Sequence, residues 1–276
     1  MTDTPTTPRP ALRLTIEDGV AIVTLDRPDK LNSLNPELVC RLADAWDAIA
    51  GEPEVRVAIV TGAGDRAFCT GADLGRLIPL FTRARPAADE WDERLLSDHT
   101  LLDRALLRRT DFTVPVIAAV RGFALAGGTE LMLGTDLRIA ADDSEFGLTE
   151  VSRGIIPGGG GLSRLARQVP WARAAEIVLV GDRIDARTAL DIGLVNRIVP
   201  ADDVMDLAMQ FARRMARNGP LAMRAAKEVM VTSNGLPLDE AFTIESRVAG
   251  RVMRSADAIE GPRAFIEKRE PRFTGT

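Results

Sequence analysis

An apolar strand, a glycine-rich turn and a carboxylate follow one another in Pro115-Val-Ile-Ala-Ala-Val-Arg-Gly-Phe-Ala-Leu-Ala-Gly-Gly-Thr-Glu-Leu131. The apolar run at 114–120 contains several β-branched residues and predicts a buried strand. The glycines at 127 and 128 predict a tight turn, and a helix is expected at 129–133. This order of strand, turn and helix is typical of an α/β protein.

The carboxylates Glu130 and Glu150 are the most informative side chains near this segment. Glu130 ends the glycine-rich turn, and Glu150 ends Glu145-Phe-Gly-Leu-Thr-Glu150. An ionised carboxylate is costly in apolar surroundings unless it is paired. Two carboxyls in one site can act as acid and base, because their surroundings can separate their pKa values. Either glutamate taken alone is also explained as a partner of a helix dipole.

Further strands and helices extend in both directions. Strands at 12–16 and 20–25 flank an Asp18-Gly19 turn and predict a hairpin, and Asn35-Pro36 predicts the start of a helix. The other predicted strands cover 55–60, 137–141 and 144–146, and the other predicted helices cover 89–109, 172–180, 186–190, 203–218, 220–232, 237–253 and 256–268. We therefore predict a disordered tail at 1–10, an α/β core at 11–200 and a helical region at 201–276.

The composition argues against several classes of function. With 35 basic and 40 acidic side chains the net charge is −5, which does not favour nucleic acid or an anionic membrane surface as a partner. No apolar stretch reaches the roughly 20 residues of a membrane span, and the polar N-terminus resembles no signal peptide. The two cysteines, Cys40 and Cys69, have neither a disulfide nor a metal-binding pattern. We expect a cytoplasmic protein with no metal, no nucleic-acid partner and no membrane association.

Three well-known catalytic or nucleotide-binding signatures are incomplete. His99 is the single histidine and no G-x-S-x-G serine accompanies it, which argues against a Ser-His-Asp triad and against zinc catalysis. We expect it on a helix surface. Gly62-Ala-Gly-Asp-Arg-Ala67 fits the dinucleotide fingerprint, but 68–73 interrupts the helix that must follow. Pro157-Gly-Gly-Gly-Gly161 lacks the Lys and Ser/Thr of a P-loop.

Two turns built from small residues are candidates for an oxyanion hole. One is Phe68-Cys-Thr-Gly-Ala-Asp-Leu74, and the other is Gly127-Gly128. Small residues let backbone N–H groups approach a ligand closely, and two such groups from separate turns can bind an oxyanion. Each turn taken alone is also explained as a tight turn that needs glycine.

Several segments together carry a family resemblance. They are Asn32-Ser-Leu34, Ile59-Val-Thr-Gly-Ala-Gly64, Ala67-Phe-Cys-Thr-Gly-Ala-Asp-Leu74, 115–131, Asp136-Leu-Arg-Ile-Ala140, Phe146-Gly-Leu-Thr-Glu150, Gly154-Ile-Ile-Pro-Gly-Gly-Gly-Gly161 and Gly193-Leu-Val-Asn-Arg-Ile-Val-Pro200. In this order they resemble the enoyl-CoA hydratase/isomerase (crotonase) family over about residues 12–270. The resemblance implies an α/β, crotonase-like (ClpP/crotonase) spiral of ββα repeats with a C-terminal helical trimerisation region. It also implies a homo-trimer, commonly paired into a hexamer.

The resemblance also assigns roles to individual residues. Ala72 and Gly127 match the two N–H donors of the oxyanion hole, and Glu130 and Glu150 match the two catalytic glutamates of the hydratases. By the same resemblance Glu130 acts on water and Glu150 delivers a proton to C2 of the substrate. The implied substrate and CoA contacts are Arg27, Lys30, Leu31, Ser33, Gly71, Asp73, Leu74, Gly128 and Pro157, together with Phe265 and Lys268 reaching the CoA of a neighbouring subunit.

Three positions depart from the common family pattern. Thr70 replaces a small alanine, and Thr149 replaces the proline that often precedes the second glutamate. Neither change removes a catalytic group, but Thr149 is expected to influence the orientation of Glu150. Arg76 is a candidate replacement for a lysine that many hydratases carry near the CoA phosphates.

The presence of both glutamates favours hydration, since many family members that lack one of them catalyse isomerisation or other reactions. We predict an enoyl-CoA hydratase, a hydro-lyase of fatty-acid or related acyl-CoA degradation that acts on an acyl-CoA thioester. Coenzyme A is part of this substrate, so no cofactor is expected. The alternatives are a double-bond isomerase, a specialised dehydratase such as one acting on a carnitinyl thioester, and an acyl-CoA-binding or RNA-binding protein without turnover. Residues 76–109 are expected to wall the acyl pocket, whose depth the sequence leaves open.

Overall fold

The computed structural model describes residues 9–276. The disordered tail predicted at 1–10 therefore lies outside the described residues, except for Arg9 and Pro10. The strands are β1 (Leu12–Glu17), β2 (Val20–Leu25), β3 (Val57–Gly62), β4 (Ala67–Cys69), β5 (Val116–Val120), β6 (Phe123–Leu125), β7 (Leu137–Ala141), β8 (Glu145–Gly147), β9 (Ile184–Asp185) and β10 (Arg197–Val199).

These strands form two sheets through which the chain winds repeatedly. The large sheet has the order β1-β2-β3-β5-β7-β10, and the small sheet has the order β4-β6-β8-β9. The β1–β2 hairpin is antiparallel as predicted, and the other pairs of the large sheet are parallel. The chain passes from the large to the small sheet at β3–β4, β5–β6 and β7–β8. This repetition is the spiral that the resemblance implied, and the predicted α/β fold class is confirmed.

Twelve α-helices complete the described part of the chain. They are α1 (Pro36–Gly51), α2 (Leu77–Phe81), α3 (Glu90–Ser97), α4 (Leu101–Ala105), α5 (Gly127–Leu133), α6 (Gly161–Gln168), α7 (Trp171–Ala175), α8 (Ala186–Asp191), α9 (Val204–Ala216), α10 (Pro220–Thr232), α11 (Leu238–Val252) and α12 (Ala256–Ile266). The helix predicted at 172–180 is α7 followed by a π-helical turn, Glu176–Val180.

Both faces of the central strands β3 and β5 of the large sheet are buried, which explains why these strands are mostly apolar. In β3, Val60 belongs to the core that includes α1, whereas the next residue towards the N-terminus, Ile59, packs in a second cluster with α9. Trp46 of α1 is fully buried, and its Nε1–H donates to the carbonyl oxygen of Ala105 at 3.0 Å. Strands covered on both sides have no polar face, so strict alternation is lost from the sequence.

The single helix predicted at 89–109 is wrong, because Asp98 ends α3 and turns the chain. Its Oδ1 accepts hydrogen bonds from the N–H and the hydroxyl of Thr100 at 2.9 and 2.6 Å. Its Oδ2 also pairs with Arg104 at 2.7 Å. A short polar side chain that bonds its own backbone in this way competes with a continuing helix. His99 lies in this turn and is exposed, so it is not on a helix surface.

Apolar side chains lie exposed on α10, α11 and α12 and at the end of α11. Met230, Leu238, Phe242, Met253 and Ile259 are between 55% and 74% exposed. Exposure of this kind is typical of a surface that another chain covers. The trimer and the hexamer stay predictions for this helical region. Within residues 9–276, no helix combines the length and the apolar character needed to cross a bilayer.

Candidate active site

The turns that follow β4 and β6 lie side by side, because these two strands are parallel neighbours in the small sheet. Gly71 has a φ of +85°, and a Cβ at this position would lie 2.6 Å from the Cβ of Ala126 and 2.9 Å from the nitrogen of Gly127. Glycine is therefore required at position 71 both for its backbone conformation and for the close approach of the two turns.

The backbone N–H groups of Ala72 and Gly127 are available to a ligand. Leu34 bonds to the groups on either side of Ala72: its N–H donates to the Gly71 carbonyl at 2.8 Å, and its carbonyl accepts from the Asp73 N–H at 2.9 Å. Gly127 is the first residue of α5, where an N–H has no acceptor within the helix. Neither N–H donates a hydrogen bond within residues 9–276.

The two donors are also close together, as an oxyanion hole requires. A Cβ built on Gly127 would lie 3.8 Å from the nitrogen of Ala72. Both residues line the same cavity. Adjacent N–H groups without internal partners can stabilise negative charge that develops on a substrate oxygen.

Glu130 lies on α5, three residues after Gly127, and is only 4% exposed. Its Oε1 accepts hydrogen bonds from the N–H groups of Gly159 and Gly161 at 2.7 and 2.9 Å. Burial raises the pKa of Glu130, and the two N–H donors oppose this increase because they stabilise the carboxylate. These bonds hold Oε1 and leave Oε2 as the oxygen that can serve a ligand.

Glu150 begins the 3-10 turn Glu150–Arg153 and is 7% exposed. Its Oε2 is buried and has no hydrogen-bond partner in the part of the chain that the structure describes. Burial raises the pKa of Glu150 from 4.5 to about 7, and the charge of Glu130 acts in the same direction. A carboxyl with this pKa carries a proton for much of the time at neutral pH, so Glu150 is suited to be a general acid.

A cavity of about 780 Å³ brings Glu130, Glu150, Ala72 and Gly127 together. Its wall is largely apolar and includes Leu31, Leu34, Leu74, Leu77, Ile78, Phe81, Leu102, Leu106, Leu125, Ile155 and Ile156. The segment 76–109 contributes several of these residues, in agreement with the prediction that it walls the pocket. A pocket of this size and lining suits an apolar group held beside an acid and a base.

Comparison with known proteins agrees with this geometry. The sequence pattern of the enoyl-CoA hydratase/isomerase family matches residues 15–276. The chain belongs to this family.

Individual members of the family are similar over nearly their whole length. Enoyl-CoA hydratase EchA19 of Mycobacterium tuberculosis is 38% identical over 252 residues, which are 91% of this chain and 92% of that protein. Carnitinyl-CoA dehydratase of Proteus mirabilis is 36% identical over 269 residues, which are 96% of this chain and 98% of that protein. A crystal structure of an enoyl-CoA hydratase from M. tuberculosis has a TM-score of 0.86 and 40% identity, with coverage of 97% of this chain and 100% of that chain. The family resemblance inferred from the sequence is confirmed.

The CoA contacts implied by the family resemblance do not all lie in the cavity. Leu31 and Leu74 line it. Arg27 contacts both Asp73 and Ser33, since its Nη2 pairs with Oδ2 of Asp73 at 3.0 Å and its Nη1 donates to the Ser33 carbonyl. This pair holds the turn after β2 against the turn after β4, so Arg27 has a structural role whether or not it binds CoA.

The other implied contacts are not among the residues that line the cavity. Lys30 is exposed, and Pro157 is buried at the start of the glycine run. A Cβ on Gly128 would lie 2.0 Å from a backbone carbonyl oxygen of β4, so this glycine allows α5 to pack closely. Phe265, at the end of α12, is 86% exposed, and Lys268 just beyond it is also exposed. Their contact with a neighbouring subunit stays a prediction.

Two of the departures from the family pattern, Arg76 and Thr149, make side-chain interactions with neighbouring residues. Nη2 of Arg76 pairs with Asp89 at 2.7 Å and with Asp92 at 3.4 Å, which argues against Arg76 as a replacement for a CoA-binding lysine. Nη1 of Arg153 donates to both the carbonyl and the hydroxyl oxygen of Thr149 at 3.0 Å. Thr149 is thereby tied to the far end of the turn that carries the second glutamate.

Sequence reasoning missed the N–H donors of Gly159 and Gly161. It considered the glycine run as an incomplete P-loop and as a segment of the family pattern, although a glycine run before a helix can also bind an anion. Here the anion is a carboxylate of the same chain, Glu130. Among residues 9–276, no three His, Cys, Asp or Glu side chains gather closely enough to hold a metal ion.

Proposed function

We propose that this chain is an enoyl-CoA hydratase, which adds water reversibly across the 2,3 double bond of a 2-enoyl-CoA thioester. The observation that carries the proposal is the pair of buried carboxyls, Glu130 and Glu150, in one cavity. Membership of the enoyl-CoA hydratase/isomerase family supports the thioester as the substrate class. The reaction uses no separate cofactor, because coenzyme A is the carrier part of the substrate.

The first step is the attack of water on C3. The carboxylate of Glu130 takes a proton from water through Oε2, and the water oxygen forms a bond to C3. The π electrons of the double bond move onto the thioester oxygen and give an enolate. The N–H groups of Ala72 and Gly127 donate to this oxygen, and one such donor contributes about 2.7–4 kcal/mol to transition-state stabilisation.

The second step is protonation of C2. The enolate collapses, and the carboxyl of Glu150 transfers its proton to C2. The raised pKa of Glu150, about 7, supports this role because a carboxyl of ordinary acidity would hold no proton at neutral pH. Glu130 then holds a proton and Glu150 is ionised, so one proton must pass between them or through solvent before the next turnover.

The carrier part of the substrate extends from the cavity in this proposal. Arg27, Lys30 and Leu31 lie near the adenine and the phosphates of CoA, and Leu74 also contacts the substrate. Phe265 and Lys268 contact the CoA bound to a neighbouring subunit of a homo-trimer or a hexamer. The exposed apolar side chains of the C-terminal helices support an oligomer of this kind.

A dehydratase is the second candidate. Carnitinyl-CoA dehydratases are among the relatives of this chain. Loss of water from a 3-hydroxyacyl thioester uses the same acid and base in the opposite direction, so the same site serves either substrate. An isomerase is less well supported, because moving a double bond needs one carboxylate and this cavity contains two.

Hydration of crotonyl-CoA, followed as loss of absorbance by the conjugated thioester, tests the proposal. We expect Glu130→Gln and Glu150→Gln each to lower kcat by about 10²- to 10⁴-fold, the usual contribution of a general acid or base. Glu17→Gln is the matched control, because Glu17 is exposed on β1. Normal turnover by both active-site variants would exclude the two-carboxylate mechanism.

Two further substrates separate the alternatives. Conversion of a 3-enoyl-CoA to a 2-enoyl-CoA without uptake of water would indicate the isomerase. Preference for a carnitinyl thioester over crotonyl-CoA would indicate the specialised dehydratase. Tight binding of acyl-CoA with no turnover of any of them would indicate a binding protein. A series of 2-enoyl-CoA thioesters of increasing length then measures the depth of the acyl pocket.

A further inference from the structure

Arg164 is a half-buried cation on α6, behind the loop that holds Glu130. Its Nη1 donates to the carbonyl oxygen of Leu106 at 3.0 Å, and its Nη2 donates to the carbonyl oxygen of Leu107. These carbonyls lie directly after the end of α4. One side chain of α6 therefore fastens the segment that follows α4, and Leu106 of that segment lines the cavity.

The same guanidinium packs against the glycine loop. A Cβ on Gly160 would lie 3.4 Å from Nη1 of Arg164. The residues on either side of Gly160 donate the two N–H groups that hold Glu130. Leu106 packs closely against the loop from the cavity side, since a Cβ on Gly159 would lie 2.1 Å from the Cδ1 of Leu106. Arg164 thus contacts the loop and the wall segment that together surround the carboxylate.

The charge of Arg164 has Glu130 as its main counterpart. Burial lowers the pKa of Arg164, and Glu130 opposes this effect ahead of any other acid. The other acid that acts on it, Asp103, is already paired with Arg108 at 3.1 Å. Partial burial of a cation without a compensating anion is costly, so the carboxylate and the guanidinium stabilise each other's charged forms.

We propose that Arg164 is a positioning residue for the reaction, which keeps Glu130 ionised and holds the glycine loop in place around it. The charged groups that face Glu130 are Arg164, Arg108 and Glu150. Arg108 is half exposed and engaged by an acid, whereas Glu150 opposes ionisation. Among these charged groups, Arg164 is therefore the one best placed to favour the carboxylate that takes the proton from water, in addition to the N–H donors of Gly159 and Gly161. The activity readout of this inference rests on the proposed function.

Removing this cation should make Glu130 harder to ionise. The acid limb of kcat/KM reports the ionisation of the base in the free enzyme. In Arg164→Met we expect this limb to move to higher pH by roughly 0.5–1 unit, less than the shift of about 1–3 units that a directly paired cation causes. The value of kcat/KM should fall by about 3- to 10-fold at acidic pH and recover towards alkaline pH, because one pH unit is a tenfold change in the ionised fraction.

The experiment compares three variants by their pH profiles. Arg164→Met removes the charge, and Arg164→Lys retains it on the same helix. Arg167→Met is the matched control, because Arg167 is exposed one turn further along α6 and bonds only to a backbone carbonyl there, that of Ser163 at 2.7 Å. We expect Arg164→Lys to keep the wild-type acid limb and Arg167→Met to leave it unmoved.

A second readout does not depend on turnover. Carbon NMR measures the pKa of the Glu130 carboxyl, whose signal is assigned by its absence from Glu130→Gln. The wild type is compared with Arg164→Gln, which removes the charge and serves as the second variant if Arg164→Met does not fold. An increased pKa in the Gln variant and a wild-type value in Arg164→Lys support the inference. An unchanged pKa in Arg164→Gln, or an equal shift in Arg167→Met, overturns it. An inactive wild type with a shifted Glu130 titration would instead count against the hydratase proposal alone.

Discussion

Replacement of Glu150 by glutamine should stabilise this protein while it removes activity. Glu150 is 7% exposed, its Oε2 has no partner within residues 9–276, and burial raises its pKa from 4.5 to about 7. Glutamine has nearly the same shape but never ionises. The change therefore removes the cost of burying a charge and also removes the proton that the proposed second step delivers.

The sign of the effect depends on pH. Below pH 4.5 the carboxyl is protonated in both folded and unfolded chains and makes no difference. As the pH rises from 4.5 towards 7, the unfolded chain releases the proton while the folded chain retains it, so the wild type loses stability. The rise in pKa corresponds to roughly 3 kcal/mol at about 1.4 kcal/mol for each pKa unit. Because solvent reaches part of the site, we expect a gain of about 1–3 kcal/mol near pH 8.

Urea unfolding followed by circular dichroism measures this gain at about pH 5 and about pH 8. All samples need one protein concentration, because association of chains also contributes to stability. We expect the advantage of Glu150→Gln to fall below about 1 kcal/mol near pH 5, because this pH lies only slightly above the unfolded pKa of 4.5 and little of the destabilisation has accumulated. Glu17→Gln, at an exposed position, should match the wild type at both pH values.

Two results would refute this reasoning. The first is a Glu150→Gln protein that is no more stable than the wild type near pH 8. The second is an equal gain at both pH values, which would show that the effect is not ionisation. Retention of full hydratase activity by the stabilised variant would separately refute the acid role of Glu150.

Three other substitutions test close packing at two glycines and a buried hydrogen-bond network. Gly128→Ala should destabilise the fold by about 3 kcal/mol or more, because the new Cβ would lie 2.0 Å from a backbone carbonyl. Gly51→Ala is the control and should have little effect, because no atom lies within 4 Å of its Cβ. Thermal unfolding compares the two variants. Gly159→Ala should lower kcat by about 10²-fold or more, since its Cβ would lie 3.0 Å from Oε2 of Glu130. Hydration of crotonyl-CoA measures the loss, and near-normal turnover would contradict the prediction. Arg138→Met should lower the free energy of unfolding by about 3 kcal/mol or more, because the buried guanidinium donates to four backbone carbonyls and a glutamine. Urea unfolding measures this loss, and a loss under about 1 kcal/mol would contradict the prediction.

Local patterns predicted the parts of the fold that have local causes. The hairpin of β1 and β2 follows from two apolar runs and the turn between them, and α1 follows from Asn35, whose side chain accepts from the N–H of Leu38 at 3.0 Å. The strands β4, β6, β9 and β10 were not predicted, because strands of two or three residues rarely show a readable period. The break at Asp98 was missed since the bonds of one polar side chain outweighed an apolar pattern that suits a helix.

The candidate site divides in a similar way. The two glutamates, the two tight turns and the family can be recognised from the sequence alone, since they depend only on residue types and their order. The folded arrangement sets what they can do. Gly159 and Gly161 hold Glu130 although they lie about 30 residues away, 29 and 31 positions along the chain.

Burial then sets the proton affinities. The pKa of Glu150 rises to about 7 because other segments remove water from around it and bring the charge of Glu130 near. The sequence therefore specifies which groups are present, while desolvation and electrostatic fields, which depend on distances between remote segments, decide which of the two carboxyls keeps its proton.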